Sequence, residues 1–135
     1  MQPVNTALCS FGMSGWVFHA PFLSVDPHFK FYGVWERTKN LAQEKYPGVK
    51  TFRTLEEMLA DKNVELVIVN TPSVTHFEIA MEVIQAGKHL IVEKPFTATV
   101  TQAEELIALA KKNNVKLSVY HTGDMIVIIE LLRKF

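Results

Sequence analysis

The chain has 135 residues, 14 basic and 14 acidic side chains, and the apolar content of an ordinary globular protein. This length suits one domain with a buried core, and zero net charge argues against a nucleic-acid or anionic-membrane surface. No apolar run reaches the roughly 20 residues of a membrane span, and the first residues lack a signal-peptide pattern. Cys9 is the only cysteine, which excludes an internal disulfide and a multi-cysteine metal site. We therefore expect a cytoplasmic protein, with Cys9 buried in an apolar strand.

Short apolar runs alternate with amphipathic segments along the chain, which is typical of βαβ units and a mostly parallel sheet. Strands are predicted at 6–9, 29–35, 50–52, 66–69, 90–92 and 117–120, and helices around 16–22, at 41–46, after Thr54, over 75–86 and from Thr101. Thr54 with Glu57, and Thr101 with Glu104, have the spacing of a capping box. The pattern predicts one doubly wound α/β domain over residues 1–121, with six strands between two layers of helices.

The sequence SFGMSG at residues 10–15 lies between the first strand and a helix. A dinucleotide fingerprint reads GxGxxG at this place, so Gly12 and Gly15 match its second and third glycines. Ser10 replaces the first glycine and weakens the motif. We predict that the loop, with Met13 at the start of the helix, binds a diphosphate through backbone amides and the helix dipole. An ordinary turn is the alternative.

An acidic residue, Glu36, ends the second strand about 20 residues beyond this loop, where a carboxylate commonly accepts hydrogen bonds from the adenosine ribose of NAD. Arg37 and Lys39 follow it and could neutralise the 2′-phosphate of NADP. The sequence therefore indicates NAD or NADP as the cofactor, with NAD slightly favoured. A solvated strand end is the alternative for all three residues.

The fifth strand runs directly into Glu93, Lys94 and Pro95. Lysine is rarely fully buried and proline cannot donate to a sheet ladder, so the strand must end here with a cation at its carboxyl end. In open α/β sheets that edge is where ligands bind. We therefore place Lys94 in the candidate site, with Glu93 beside it.

The fourth strand ends in Asn70, Thr71 and Pro72, and His76 follows on the next helix. Together with Glu-Lys-Pro, these motifs resemble the glucose–fructose oxidoreductase, inositol dehydrogenase and MocA (Gfo/Idh/MocA) family over residues 4–121. The resemblance implies a Rossmann-type domain that binds NAD or NADP, and hydride transfer at a hydroxyl or carbonyl carbon of a sugar or cyclitol.

The same resemblance assigns roles to individual residues. It implies that the loop 70–72 flanks the cofactor and that His76 faces the nicotinamide side. It also implies that Lys94 contacts the nicotinamide ribose and the substrate and assists proton transfer, so His76 and Lys94 are the catalytic candidates. A solvated His76 and a surface Lys94 are the alternatives. For His19, which close relatives share, we favour a capping or packing role over catalysis. None of the five histidines has the spacing of a metal site.

The resemblance stops at His121, whereas relatives continue into a second domain that holds the substrate pocket. Residues 122–135 form an atypical apolar tail, and restoring one nucleotide after the His121 codon permits the segment that relatives carry there. We therefore interpret the tail as a frameshift product, with a native short element as the alternative. The isolated chain is expected to bind the cofactor without turnover, although the full-length protein would act on a small polyol or sugar. The alternative is a cofactor-free interaction domain that forms a homo-oligomer through the tail.

Overall fold

A computed structural model describes residues 2–120, which form a six-stranded parallel sheet. The strands are β1 Val4–Leu8, β2 Phe29–Trp35, β3 Lys50–Phe52, β4 Leu66–Val69, β5 His89–Glu93 and β6 Leu117–Tyr120. Their order is β3-β2-β1-β4-β5-β6, and every neighbouring pair is parallel. The chain thus winds outward in opposite directions from β1 and from β4, which leaves a crevice between their carboxyl ends. The predicted doubly wound α/β fold is confirmed.

Helices cover both faces of this sheet. They are a π-helical turn Gly15–His19 that continues into α1 Ala20–Val25, then α2 Leu41–Lys45, α3 Leu55–Ala60, a 3-10 turn Ser73–Thr75 that leads into α4 His76–Gln85, and α5 Val100–Lys112. Alternate residues of β4 belong to different cores: Val67 and Val69 pack with α3, α4 and α5, whereas Leu66 and Ile68 pack with α1 and α2. This alternation follows from the two-residue period of a strand. It explains why the buried central strands are apolar throughout.

The start of α5 differs from the prediction. Thr99, in an extended conformation, is the N-cap, and its hydroxyl accepts a hydrogen bond from the Gln102 amide at 3.1 Å. The Gln102 side chain in turn accepts from the Ala98 amide at 3.1 Å. Thr101 already lies inside the helix, so the predicted capping box of Thr101 and Glu104 is wrong. The sequence contains two overlapping Thr-x-x-acceptor patterns, and the earlier one forms the cap.

Within residues 2–120, no helix is both long and apolar enough to cross a bilayer. In the same part of the chain, no group of three or more His, Cys, Asp or Glu side chains could hold a metal ion. The domain boundary at residue 121 and the tail 122–135 lie outside the described residues.

Candidate functional site

A cleft of about 550 Å³ opens at the carboxyl ends of β1, β2 and β4. Its lining comes from three loops and the helix after β4: Cys9, Ser10, Phe11, Gly12, Trp35, Glu36, Arg37, Thr38, Lys39, Leu41, Thr71, Pro72, Thr75 and Ile79. The cleft lies where the strand order reverses, which is the usual ligand position in open α/β sheets. The structure therefore brings the predicted loop, the residues after β2 and the Thr71-Pro72 pair to one surface.

The turn after β1 is closed by the serine that replaces the first glycine of the fingerprint. Ser10 Oγ accepts a hydrogen bond from the Gly12 amide at 3.0 Å, and the Ser10 carbonyl accepts one from Asn70 Nδ2 at 2.8 Å. The Gly12 carbonyl accepts from the Trp16 amide at 2.9 Å, which starts the helix. Ser10 is thus compatible with a tight turn, and buried Asn70 ties that turn to the end of β4.

The two glycines of this turn have different surroundings. A Cβ atom on Gly15 would lie 2.5 Å from the Ser10 carbonyl oxygen and 3.0 Å from Asn70 Nδ2, whereas one on Gly12 would meet only Ser10 Oγ, at 3.3 Å. Gly15 therefore permits close packing of the helix on the loop. Gly12 lines the cleft, where a side chain would occupy space open to a ligand. Met13, beside it, is 80% exposed.

Glu36 is nearly buried and caps a helix. Its Oε1 accepts a hydrogen bond from the Ala42 amide at 3.0 Å and its Oε2 accepts one from the Leu41 amide at 3.2 Å. These are the first two amides of α2, which have no partner within the helix. Both carboxylate oxygens are thus engaged by the protein, and the contact of Glu36 with a ribose stays a prediction.

Arg53, which the sequence did not single out, holds the loop after β2. Its Nη1 donates to the carbonyls of Glu36 at 3.1 Å and Lys39 at 2.7 Å, and its Nη2 donates to Asn40 Oδ1 at 2.5 Å. The loop presents Arg37 and Lys39 as exposed cations in the cleft lining. Partners 13 to 17 residues away in sequence leave no local pattern that could have revealed Arg53.

The Glu-Lys-Pro segment lies at the carboxyl edge of the sheet, as its position after the fifth apolar run predicts. β5 ends at Glu93, Lys94 is exposed, and the Lys94–Pro95 peptide bond is cis. Glu93 Oε2 lies 2.6 Å from Nε2 of His19, whose side chain is buried. Lys94 is outside the lining of the cleft, but it lies two strands along the same edge from β1.

His76 is buried, so the alternative of a solvated histidine is wrong. Its Nδ1 lies 2.8 Å from the Pro95 carbonyl oxygen and its Nε2 lies 2.8 Å from the Thr71 carbonyl oxygen. The ring thus connects the loop after β4 with the segment after β5. That His76 faces the nicotinamide side stays a prediction.

Cys9 lines the cleft but is poorly suited to nucleophilic chemistry. Its side chain is buried, and burial raises the pKa of the thiol to about 12. The thiolate, which is the reactive form, is therefore scarce near neutral pH. This supports the expectation of a small apolar residue in the core.

Known proteins match most of the described chain. Residues 4–121 match the GFO_IDH_MocA model, an oxidoreductase family with an NAD-binding Rossmann fold. An uncharacterized oxidoreductase of Schizosaccharomyces pombe is 45% identical over 125 residues, which are 89% of this chain and 34% of that protein. The scyllo-inositol 2-dehydrogenase (NADP(+)) of Bacillus subtilis is 38% identical over 121 residues, 90% of this chain and 34% of the enzyme.

A solved structure shows the same arrangement. GenD2 from gentamicin A biosynthesis, in complex with NAD, is 34% identical with a TM-score of 0.81, and the match covers 88% of this chain and 34% of GenD2. The chain thus spans about a third of the length of the curated relatives it matches. The family match, the identities and the shared fold agree with each other, and this chain belongs to the Gfo/Idh/MocA family of oxidoreductases through its NAD-binding Rossmann domain.

Proposed function

We propose that this chain is the nicotinamide-dinucleotide-binding domain of an NAD(P)-dependent oxidoreductase that acts on a hydroxyl or carbonyl carbon of a sugar or cyclitol. The observation that carries this proposal is the cleft of about 550 Å³ at the point where the strand order reverses. A volume of several hundred Å³ suits a small-molecule site. The sugar or cyclitol class is suggested by the name of the Bacillus subtilis relative.

The residues around the cleft fit such a cofactor. The turn with Gly12 leaves room for close approach of a diphosphate, and the helix that follows points its amide end and positive dipole at the same place. Thr71 and Pro72 also line the cleft. When bound, the cofactor would accept or supply the hydride. We assign Lys94 to the proton at the substrate oxygen, because it is an exposed cation at the same sheet edge.

We propose that the domain prefers NADP, which revises the slight preference for NAD drawn from the sequence. That preference depended on Glu36, whose two carboxylate oxygens both accept amides of α2. Arg37 and Lys39, by contrast, are exposed in the cleft lining. Two cations beside one engaged carboxylate suit a 2′-phosphate better than a free ribose hydroxyl.

We further propose that the isolated chain binds the dinucleotide without turnover. The relatives have about two thirds of their length outside the matched region, and the resemblance implies a substrate pocket in that part. A domain boundary near residue 121, and a tail at 122–135 that arose by a frameshift, belong to the same proposal. Sequencing the parental gene tests the frameshift, because an uninterrupted natural frame through residue 135 contradicts it.

Fluorescence titration with NADPH and NADH tests the function and the cofactor preference together. Trp35 lines the cleft, so bound reduced nicotinamide should quench its emission in a saturable way. We expect the dissociation constant for NADPH to be at least about tenfold lower than that for NADH, a difference of about 1.4 kcal/mol.

Two variants test whether the preference depends on the cations beside the cleft. Arg37→Ala should remove most of the preference, and Lys112→Ala, which removes an exposed cation at the end of α5, should leave both constants unchanged. Mixing the domain loaded with NADP⁺ with a panel of sugars and cyclitols should give no rise in NADPH absorbance. Absence of saturable binding by either cofactor contradicts the proposed function, and equal affinities contradict only the preference.

A further inference from the structure

We infer that His19 and His76 are positioning residues that hold the two chain neighbours of Lys94 and so place its ammonium group at the nicotinamide end of the cofactor. The inference rests on the proposed function, because it needs Lys94 to face a bound dinucleotide. It concerns how that lysine is held, which neither the family match nor the named relatives describe.

The first contact holds the residue before Lys94. His19 Nε2 and Glu93 Oε2 are 2.6 Å apart, although 74 residues separate them in sequence. His19 ends the π-helical turn that follows the β1 loop, and Glu93 is the last residue of β5. Their side chains are 2% and 17% exposed. A carboxylate this far removed from water is costly without a partner, so the pair stabilises one position of the strand end relative to the β1 loop.

The second contact holds the residue after Lys94. The carbonyl oxygens of Thr71 and Pro95 flank opposite nitrogens of the buried His76 ring, each at 2.8 Å. Carbonyl oxygens only accept, and an imidazole can donate from both nitrogens only when both carry a proton. The ring lies between the Thr71 wall of the cleft and the segment after β5, and it donates to one of the two carbonyls when neutral and to both when doubly protonated. His76 thus sets the distance between the cofactor cleft and the chain that carries Lys94.

Lys94 itself depends on these neighbours for its position. Within residues 2–120, no hydrogen bond or ion pair to the Lys94 side chain is present. A lysine side chain left to itself samples many rotamers, so within the described residues only the position of the backbone on either side limits where its ammonium group can reach. Two rings from separate helical segments anchor this part of the chain at Glu93 and Pro95. Because both rings are about 2% exposed, direct contact of either with a substrate is the less suitable role.

The test compares ligands that do and do not reach Lys94. NADPH and NADH span the cleft to the nicotinamide ribose, whereas their fragments 2′,5′-ADP and ADP lack that ribose. Dissociation constants for all four are measured by titration on the wild-type chain and on His19→Leu, His76→Leu and Lys94→Ala. We expect each variant to weaken dinucleotide binding at least about tenfold and fragment binding less than about twofold.

Conservative variants separate positioning from simple packing. His19→Gln keeps a donor near Glu93 and should restore most dinucleotide affinity. If His19→Leu does not fold, Glu93→Ala removes the carboxylate that contacts His19 from a less buried position and should give the same selective loss.

The remaining outcomes refute either the positioning role or the proposed function. Equal loss of dinucleotide and fragment affinity, or no loss of either, refutes the positioning role while leaving the proposed function intact. If the wild-type chain binds none of the four ligands, both the proposed function and the inference are refuted.

Discussion

The two glycines after β1 offer a paired test, because the same substitution should damage stability at one and binding at the other. At Gly15, an alanine Cβ would sit 2.5 Å from the Ser10 carbonyl oxygen and 3.0 Å from Asn70 Nδ2. The first of these is a backbone atom of a turn held by two hydrogen bonds, so it cannot move away cheaply. Overpacking of this kind costs about 1–3 kcal/mol, partly offset by up to about 1 kcal/mol of alanine helix propensity.

The expected net loss for Gly15→Ala is therefore about 1–2 kcal/mol in the free energy of unfolding. For a domain of this size that lowers the melting temperature by roughly 4–8 °C. Gly12→Ala is the matched control, since its Cβ would meet only a side-chain atom, the Ser10 hydroxyl oxygen, at 3.3 Å. It should unfold within about 0.5 kcal/mol of the wild-type chain. It should nevertheless weaken NADPH binding about tenfold or more, because the added methyl group would lie where the diphosphate is expected to approach the protein backbone.

Urea unfolding and NADPH titration of the same two proteins check this reasoning. A Gly15→Ala protein as stable as the wild-type chain would show that the loop relaxes freely and that the packing argument is wrong. Unchanged NADPH affinity in Gly12→Ala would show that the cofactor does not approach this turn. Loss of stability in Gly12→Ala instead of Gly15→Ala would reverse the assignment of the two glycines.

Three further predictions concern stability. Because burial raises the Cys9 thiol pKa to about 12 from 9.0, the native state retains a proton that the unfolded chain releases as the pH rises. The stability that this thiol contributes is therefore complete below pH 9 and is lost between pH 9 and 12. In urea unfolding, the free energy of unfolding of Cys9→Ala should fall less over this range than that of the wild-type chain. Burial, and then the charge of Lys116, hold the His89 pKa below its ordinary 6.5, so folding favours the neutral ring. The stability that His89 contributes is therefore complete above pH 6.5 and is lost as the pH falls below it. His89→Asn retains an acceptor for the Lys116 amide, which donates to His89 Nδ1 at 2.9 Å, and should flatten the decline in melting temperature between pH 7 and 5; an unchanged slope contradicts this. Thr99→Ala removes the N-cap of α5 and should lower the free energy of unfolding, measured in urea, by about 1 kcal/mol. Thr101→Ala changes an exposed position within α5 and should lower it by less than about 0.5 kcal/mol; the reverse order would contradict the assigned cap.

The sheet was predictable because each strand has a recognisable local sequence pattern. β4 is buried at all four positions and reads as the uninterrupted run Leu66–Val69, and the other strands are bounded by turn residues or amphipathic helices. The edge that carries the site was predictable for a related reason. A residue such as Lys94 that ends a buried run must project at the carboxyl end of its strand, and parallel strands all share that end.

The contacts within the site were not predictable in the same way. His19 and Glu93 are 74 residues apart and His76 and Pro95 are 19 apart, so no periodicity or spacing relates them. They meet only because β1, β4 and β5 are neighbours in the sheet. Sequence therefore located each histidine on its helix but could not reveal that both rings converge on one segment.

The acidic residue after β2 has a second role in the fold that its position in the sequence did not reveal. A carboxylate at Glu36 lies near enough to the cleft to meet a ribose, but the two free amides at the start of α2 compete for the same oxygens. Those amides belong to the same chain and are already oriented, whereas a ribose must give up its freedom of motion on binding. The amides therefore hold the carboxylate before a ligand binds, and under the proposed preference the cations that follow it would discriminate between the cofactors. Because Arg53 holds this loop by three hydrogen bonds, the shape of the proposed 2′-phosphate subsite would depend on a residue outside the fingerprint.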